Sequence, residues 1–487
     1  MRLLLDKLGS ITEADTGNAW SGARLRTAVT TRALTLSAQG IGPGDRILIY
    51  HGGSAEFFAD LLAVWQTGAC AVCLNPGLTQ TELENIVDFI EPRALLHAPA
   101  QDIPHMRAVS TMVLADACLG KAAHRVPEME KRASLDDDAL ILFTSGTTGT
   151  PKGAVLSYRA LTGRIALNQS HIPAGDMGVT LCPLPTHFGH GLIGNCLTPL
   201  LAGHSLVLMS GSDIRRVASL GDVIDMYGVS FMSSVPAMWK LATKVSRRPA
   251  KNTLRRIHVG SAPFSADLWR NVMDWAGVRN VVNMYGITEA SNWIAGASAE
   301  EFAPEDGLIG RTWGGMVAVR EADGSVCASG HGEILVQSPA LMLGYYKLPE
   351  LTASVLKDGW FHTGDIGTVD EVGVVRLTGR KKFEINRAGI KVHPEDIDML
   401  LERHPAVREA CAFGIADEVA GEIVGVAVCP AVDAQINTKE LQEWCMERIA
   451  REKVPERWFL VREIPKTDRG KINRSLVADF CLKGGRG

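Results

Sequence analysis

Residues 143–153 read Phe143-Thr144-Ser145-Gly146-Thr147-Thr148-Gly149-Thr150-Pro151-Lys152-Gly153, and the reading of this stretch decides the fold of the chain around it. Five hydroxyl side chains, three glycines and one lysine take nine of its eleven positions. Glycines let backbone N–H groups converge on an anion, hydroxyls donate to phosphate oxygens, and Lys152 adds positive charge. The run before it, 139–143, is apolar and predicts a strand; a helix is expected to follow from Val155. A polar turn between strand and helix is the plain alternative, against which the density of donors argues. The stretch is not a G-x-x-x-x-G-K-[ST] loop, because Pro151 interrupts the spacing and Gly153 stands where a metal-binding hydroxyl belongs.

Working outward, apolar runs at 46–50, 69–74, 139–143, 205–209, 255–259 and 281–284 alternate with helix-like stretches at 55–66, 81–90 and 217–226. Such alternation predicts an α/β fold with largely parallel sheets. After about 307, short strands separated by Gly and Asp turns (317–320, 333–337, 374–377) predict a small β-rich unit. Beyond 380 comes a compact α+β pattern: a helix opening at Pro394, strands at 410–415 and 423–429, a helix at 438–451 and a strand at 458–462. The expected fold is α/β, with a large N-terminal domain of two α/β layers plus the β-rich unit (1–379) and a small mobile α+β C-terminal domain (380–487). Their junction, 380–384, is short and charged, which suits a hinge centred on Lys382 better than a tether.

With 487 residues, the chain is too long for one compact core. Apolar residues at 46% and charged residues at 21% are ordinary for a globular protein, and a net charge of −4 offers no basic field for nucleic acid. The first residues lack the apolar run and cleavage site of a signal peptide, and no apolar stretch reaches the ~18 residues of a membrane span. A soluble cytoplasmic protein is expected. Ten cysteines without regular spacing read as reduced thiols. Cys70 and Cys73 form a C-x-x-C inside an apolar run, and His187 and His190 lie three apart without a carboxylate; neither spacing is read as a metal site.

Other motifs follow in order: Val259-Gly260-Ser261-Ala262-Pro263, Tyr285-Gly286-Ile287-Thr288-Glu289, Gly359-Trp360-Phe361-His362-Thr363-Gly364-Asp365, Gly379-Arg380-Lys381-Lys382 and Pro465-Lys466-Thr467-Asp468-Arg469-Gly470-Lys471. Together with 143–153 they resemble, in the same order, the motifs of the adenylate-forming superfamily, which contains acyl-CoA synthetases, amino-acid adenylating enzymes and beetle luciferases. The resemblance to the acyl-CoA synthetase branch implies a two-step reaction: ATP-dependent activation of a carboxylic acid as an acyl-adenylate with pyrophosphate release, then transfer to the thiol of coenzyme A.

The same resemblance assigns roles. Thr144, Ser145, Gly146, Thr147, Thr148, Gly149 and Lys152 would hold the β- and γ-phosphates of ATP, and Gly260, Ser261, Ala262 and Pro263 would line the adenine side. Tyr285 would stack on adenine beside Gly286, Thr288 would contact the α-phosphate, and Glu289 would bind Mg²⁺. Asp365 would accept both ribose hydroxyls, a task for an acceptor-only group. Arg380 would contact ribose or phosphate, and Lys471 would bridge the acid and the α-phosphate.

Pro183-Leu184-Pro185-Thr186-His187-Phe188-Gly189-His190-Gly191 resembles the segment that lines the acid site, which implies His187 and Phe188 as pocket residues, with Trp239, Gly260, Gly286 and Trp293 as further wall candidates. No acidic residue occurs between 181 and 203, so nothing there pairs with a substrate ammonium and an α-amino acid is not expected. Gly389 resembles the glycine flanking the thiol tunnel. Ala388 and Phe383 depart from the family pattern there and leave the acceptor open between coenzyme A and the phosphopantetheine of an acyl carrier protein. A non-catalytic nucleotide-binding module and a luciferase-like monooxygenase are the remoter readings.

Overall fold

The computed structural model describes residues 7–99, 101, 103, 109–114, 133–144, 152–209, 214–387, 390–417, 420–432, 434–467 and 471–484. The chain divides into two compact units, Met1–Met316 with Gln337–Phe361, and Val317–Val336 with His362–Gly487.

The first unit holds two sheets. In one, the strands run in the order Leu308–Thr312, Asn292–Ser298, Val281–Ile287, Arg256–Gly260, Phe231–Ser234, Val179–Cys182, Ser205–Leu208, Ile11–Glu13 and Ala19–Trp20. From Ile11–Glu13 to Val281–Ile287 the neighbours are parallel; Asn292–Ser298 and Leu308–Thr312 follow as antiparallel strands. The second sheet orders Gly344–Tyr345, Lys152–Ser157, Asp138–Thr144, Cys70–Cys73, Arg46–Ile49, Ala94–Leu96 and Ser110–Met112. Its apolar strands are buried on both faces, as parallel strands between helices require.

Local chemistry explains the helices. Gln80–Ile90 opens on a capping box, Thr79 with Glu82, and Ala55–Thr67 opens on Ser54 and ends at Gly68 in the left-handed conformation. Ala55–Thr67 is apolar almost all round and nearly every residue is buried, Phe57, Phe58 and Trp65 among them. Each such side chain contributes about 1.5–3 kcal/mol of burial. Cys70 and Cys73 point to opposite faces of their strand and sit in separate core clusters, where burial pushes both thiols up.

The helix expected at 438–451 ends at Met446, and two further elements differ from expectation. The helix expected from Val155 is a strand, Lys152–Ser157, antiparallel to Asp138–Thr144; the helix begins only at Tyr158, where Ser157 caps it through the Ala160 N–H. The buried run Ala154–Leu156 wins a place in the sheet, and β-branched Val155 suits it. The helix expected at 217–226 is two, Ile214–Ala218 and Leu220–Tyr227, parted at Ser219.

The second unit carries the strands Val326–Cys327, Met316–Arg320, Gly330–Gln337, Trp360–Val369 and Val375–Arg380 in that spatial order. It also carries a further sheet, Ile390–Val392, Ile385–Arg387, Gly421–Pro430 and Val407–Asp417, with Arg457–Leu460 paired to Gly421–Pro430. Pro394–Glu402 has proline at its start and Glu395 and Asp396 in its first turn, as its sequence requires. Arg474, in the helix Arg474–Leu482, is buried against Asp398 at 2.8 Å and Glu395 at 3.4 Å, and donates to the Ala412 carbonyl. Among the described residues no helix is long and apolar enough to cross a membrane.

Candidate active site

The phosphate-loop sequence joins two strands of one antiparallel pair. Thr144 ends the first strand and faces Lys152, which begins the second. Ser145, Gly146, Thr147, Thr148 and Gly149 lie outside the described residues. Two positions beyond Lys152, Ala154 pairs with Tyr345, whose hydroxyl donates to Glu289 Oε1 at 2.7 Å. The Met342 N–H donates to the Glu289 carbonyl at 2.7 Å, and the turn Thr288–Ala290 packs against the strand Lys152–Ser157. Glu289 is thus fixed by side chain and backbone beside the strand that carries Lys152, although 137 residues separate the two. From below, buried Arg164 donates to the carbonyls of Ala290 and Trp313.

The adenine-side motifs are neighbours in the other sheet. Arg256–Gly260 delivers Ser261, Ala262 and Pro263 at its end, and the adjacent parallel strand Val281–Ile287 carries Tyr285 and Gly286, with Gly260 opposite Met284. Ser261 adopts φ of 71°, a left-handed conformation unusual for a side chain other than glycine, Asn or Asp. At Gly286 a Cβ would lie 2.4 Å from the Asn292 carbonyl oxygen and 2.9 Å from Trp293 Cα, so only glycine permits this approach of the two strands. Tyr285 is buried at the strand end, and Thr288 opens the turn that carries Glu289.

Sequence reasoning passed over His190 except as half of a histidine pair. In the structure its Nδ1 lies 2.8 Å from Ser261 Oγ and its Nε2 2.6 Å from Ser233 Oγ. It starts a π-helix, His190–Leu197, which Asn195 pins to the Ser233 backbone. Such widened turns are frequent at functional sites. His187 and Phe188 stand half-buried just before this helix, their rings 4.0 Å apart. Trp239 does not join them. Its indole N–H donates to Ser234 and its ring packs on Trp275, whereas the preceding residue, Ser233, faces His190; consecutive strand residues point to opposite faces, so Trp239 belongs to the packing of the other face. Trp293 is on the His190 side, with ring centroids 5.9 Å apart.

In the second unit Asp365 and Arg380 are cross-strand partners, with Arg380 Nε 2.7 Å from Asp365 Oδ1. Asp365 is buried while Arg380 reaches solvent, and within the strand Gly364 (φ 70°), whose N–H donates to Glu333, kinks the backbone just before the carboxylate. Lys382 is exposed in the short helical turn Lys381–Phe383, and the Phe383 ring lies between the Lys382 ammonium at 4.5 Å and the Arg474 guanidinium at 5.6 Å. Gly389 lies outside the described residues. Lys471 is exposed, and its backbone closes a turn with Thr467.

A family model described as AMP-binding enzyme matches residues 7–346, and one described as AMP-binding enzyme C-terminal domain matches residues 396–471. The chain belongs to the AMP-binding enzyme family. Relatives in this family include a probable CoA ligase, CCL9, of Humulus lupulus, 30% identical over 94% of this chain and 91% of that protein. A feruloyl-CoA synthase of an Amycolatopsis species is 31% identical over 95% of this chain and 94% of its own. Among solved structures, ATP-bound MatB from Rhodopseudomonas palustris superposes with a TM-score of 0.86 at 25% identity, covering 99% of this chain and 97% of that one. The α/β architecture with a C-terminal domain, read from the sequence, is that of these AMP-binding enzymes.

Proposed function

We propose that this AMP-binding enzyme is an acid:thiol ligase that makes an acyl-adenylate from ATP and a carboxylic acid and passes the acyl group to coenzyme A. The observation that carries the reading is the fixing of Glu289 by Tyr345 beside the strand of Lys152, with Ser261 and Tyr285 on neighbouring strand ends. A carboxylate is a poor electrophile. Attack of its oxygen on the α-phosphorus breaks the α–β anhydride bond, expels pyrophosphate and makes that oxygen part of a good leaving group. In the second step the thiol sulfur attacks the acyl carbon, the thiol proton is lost and AMP departs.

The chain's own residues supply position and charge. Lys152 and the 144–149 hydroxyls and amides bind phosphate oxygens; Thr288 orients the α-phosphate; Tyr285 packs on adenine. Asp365 accepts the ribose hydroxyls, with Arg380 at its side. Glu289, a single fixed carboxylate beside phosphates, fits the oxygen-only and sparse protein ligation that Mg²⁺ takes in nucleotide sites, where the ion neutralises phosphate charge. Lys471 contacts the acid and α-phosphate in the first step, and a rotation at 380–384, about Lys382, replaces it with the Gly389 face for thiol entry. Absence of any carboxylate between 181 and 203 supports a fatty, aryl or other non-amino acid.

The acceptor is tested by mass spectrometry of reactions containing ATP, Mg²⁺, an acid panel and either coenzyme A or a phosphopantetheinylated carrier protein. Acyl-CoA is the expected product. Acylated carrier without acyl-CoA would transfer the reading to the carrier-protein ligases, and neither product with any acid would remove the thiol step.

A further inference from the structure

Behind the nucleotide segments, one sheet face is built from Ser233, His258 and Met284 on neighbouring strands: Ser233 pairs with His258, and Gly260 with Met284. The π-helix His190–Leu197 lies on this face. His190, Asn292 and Trp293 complete the group, and Ser261 and Gly286 connect it directly to the nucleotide side. An acid that attacks the α-phosphate of a nucleotide held by Ser261 and Tyr285 extends toward these residues.

Two features define what they accept. The first is a floor. A Cβ at Gly194 would lie 2.1 Å from Asn292 Nδ2 and 2.7 Å from the Trp293 six-membered ring, so both side chains press on the bare Cα of the π-helix and close the space at that point. The second is unspent hydrogen-bonding capacity. Trp293 Nε1, Asn292 Nδ2 and both ring nitrogens of His258 are buried without a partner among the described residues. The His258 and Trp293 rings are 4.7 Å apart at 79°, so these atoms form one cluster. Burial pushes the His258 imidazole well below its usual pKa, which leaves it neutral, with one donor and one acceptor nitrogen. An orphaned buried donor is costly and uncommon, and several in one place call for an acceptor from outside the chain. The cation on the same strand, Arg256, is already paired with Asp176 at 3.0 Å, so its charge is already matched by a carboxylate of the chain.

We infer that the acid taken by this site is compact and ends, away from its reacting carboxyl, in a neutral hydrogen-bond acceptor such as a hydroxyl or carbonyl, with Trp293 and Asn292 setting its length. This rests on the adenylation reading above and narrows its substrate. The test measures pyrophosphate release with matched acids: benzoate against 4-hydroxybenzoate, cinnamate against 4-hydroxycinnamate, saturated fatty acids from butanoate to dodecanoate, and succinate. Calorimetric binding of the same acids in the presence of a non-hydrolysable ATP analogue is measured alongside.

The wild type is expected to favour a hydroxylated aryl acid over its parent by about tenfold or more, and to reject dodecanoate and succinate. Trp293→Phe keeps an aromatic ring at the position and removes the N–H, so the hydroxyl preference should fall by about tenfold. Trp293→Ala should raise kcat/KM for dodecanoate by about tenfold or more. The length profile of the wild type reads the floor even where Trp293→Ala fails to fold. Turnover of dodecanoate by the wild type as fast as of the compact acids, or an unchanged hydroxyl preference in Trp293→Phe, would overturn the inference while leaving adenylation intact. Calorimetric preference for the compact hydroxylated acids without pyrophosphate release would instead sink the adenylation reading and keep this one; calorimetry without that preference would overturn it.

Discussion

Replacing Asp365 by alanine isolates one proposed contact between chain and nucleotide. Asp365 is buried, and its carboxylate is held by Arg380 at 2.7 Å, while the arginine side chain is 47% exposed. Truncation therefore leaves the remaining charge of the pair in contact with water, not buried without a partner. Hydrogen bonds to a charged acceptor contribute about 1.5–3 kcal/mol each, so losing both ribose hydroxyls costs at least about 3 kcal/mol, or about 150-fold in kcat/KM for ATP. The assay is steady-state pyrophosphate release by wild type and Asp365→Ala, each with ATP and with 2′,3′-dideoxy-ATP. The wild type should discriminate between the nucleotides by about that factor, and the variant should discriminate hardly at all, because both changes delete the same contact. A variant that still prefers ATP by the wild-type factor, with its melting temperature intact, would refute the assignment of Asp365 to the ribose.

Lys471→Ala should lose adenylation by about 100-fold or more yet still convert supplied acyl-adenylate and thiol to thioester, whereas Lys382→Pro should do the reverse; single-turnover assays of each half-reaction separate them. Tyr345→Phe removes the hydroxyl that fixes Glu289 and should cut kcat by about tenfold while raising the magnesium concentration for half-maximal rate. An unchanged magnesium titration would make that hydrogen bond incidental. In the first unit, backbone N–H groups of Ala250 and Lys251, with Arg247, hold the Asp225 carboxyl down at about 2. An acid whose folded pKa is depressed stabilises above its unfolded value and loses that contribution as pH falls, so the gap in urea midpoint between wild type and Asp225→Asn should narrow from about pH 4 to about pH 2. A gap constant across that window would show that the carboxylate's charge is not what stabilises the loop.

The α/β alternation was legible because parallel strands buried on both faces leave short apolar runs, and helices such as Gln80–Ile90 announce themselves by their caps. A three-residue apolar run, 154–156, cannot by itself tell strand from helix; its pairing partner 138–144 precedes it across the phosphate loop and decides the matter. Glu289 and Asp365 could be named as candidates because their motifs, 285–289 and 359–365, resemble those of the family. Tyr345 could not, since its tie to Glu289 spans 56 positions and exists only once Gly344–Tyr345 joins the sheet. Trp239 failed as a pocket residue for a related reason: which face of a sheet a neighbouring helix covers is a property of topology. His190 carried a faint signal in its segment, but its two serine partners lie on other strands.

In the proposed reaction an acyl-adenylate forms before any thiol is engaged. ATP–pyrophosphate exchange in the absence of thiol measures that step alone. Acid-dependent return of labelled pyrophosphate into ATP, abolished in Glu289→Ala, is the predicted result. Nucleotide turnover that yields ADP and phosphate, or no exchange with any acid while ATP still binds, would contradict it.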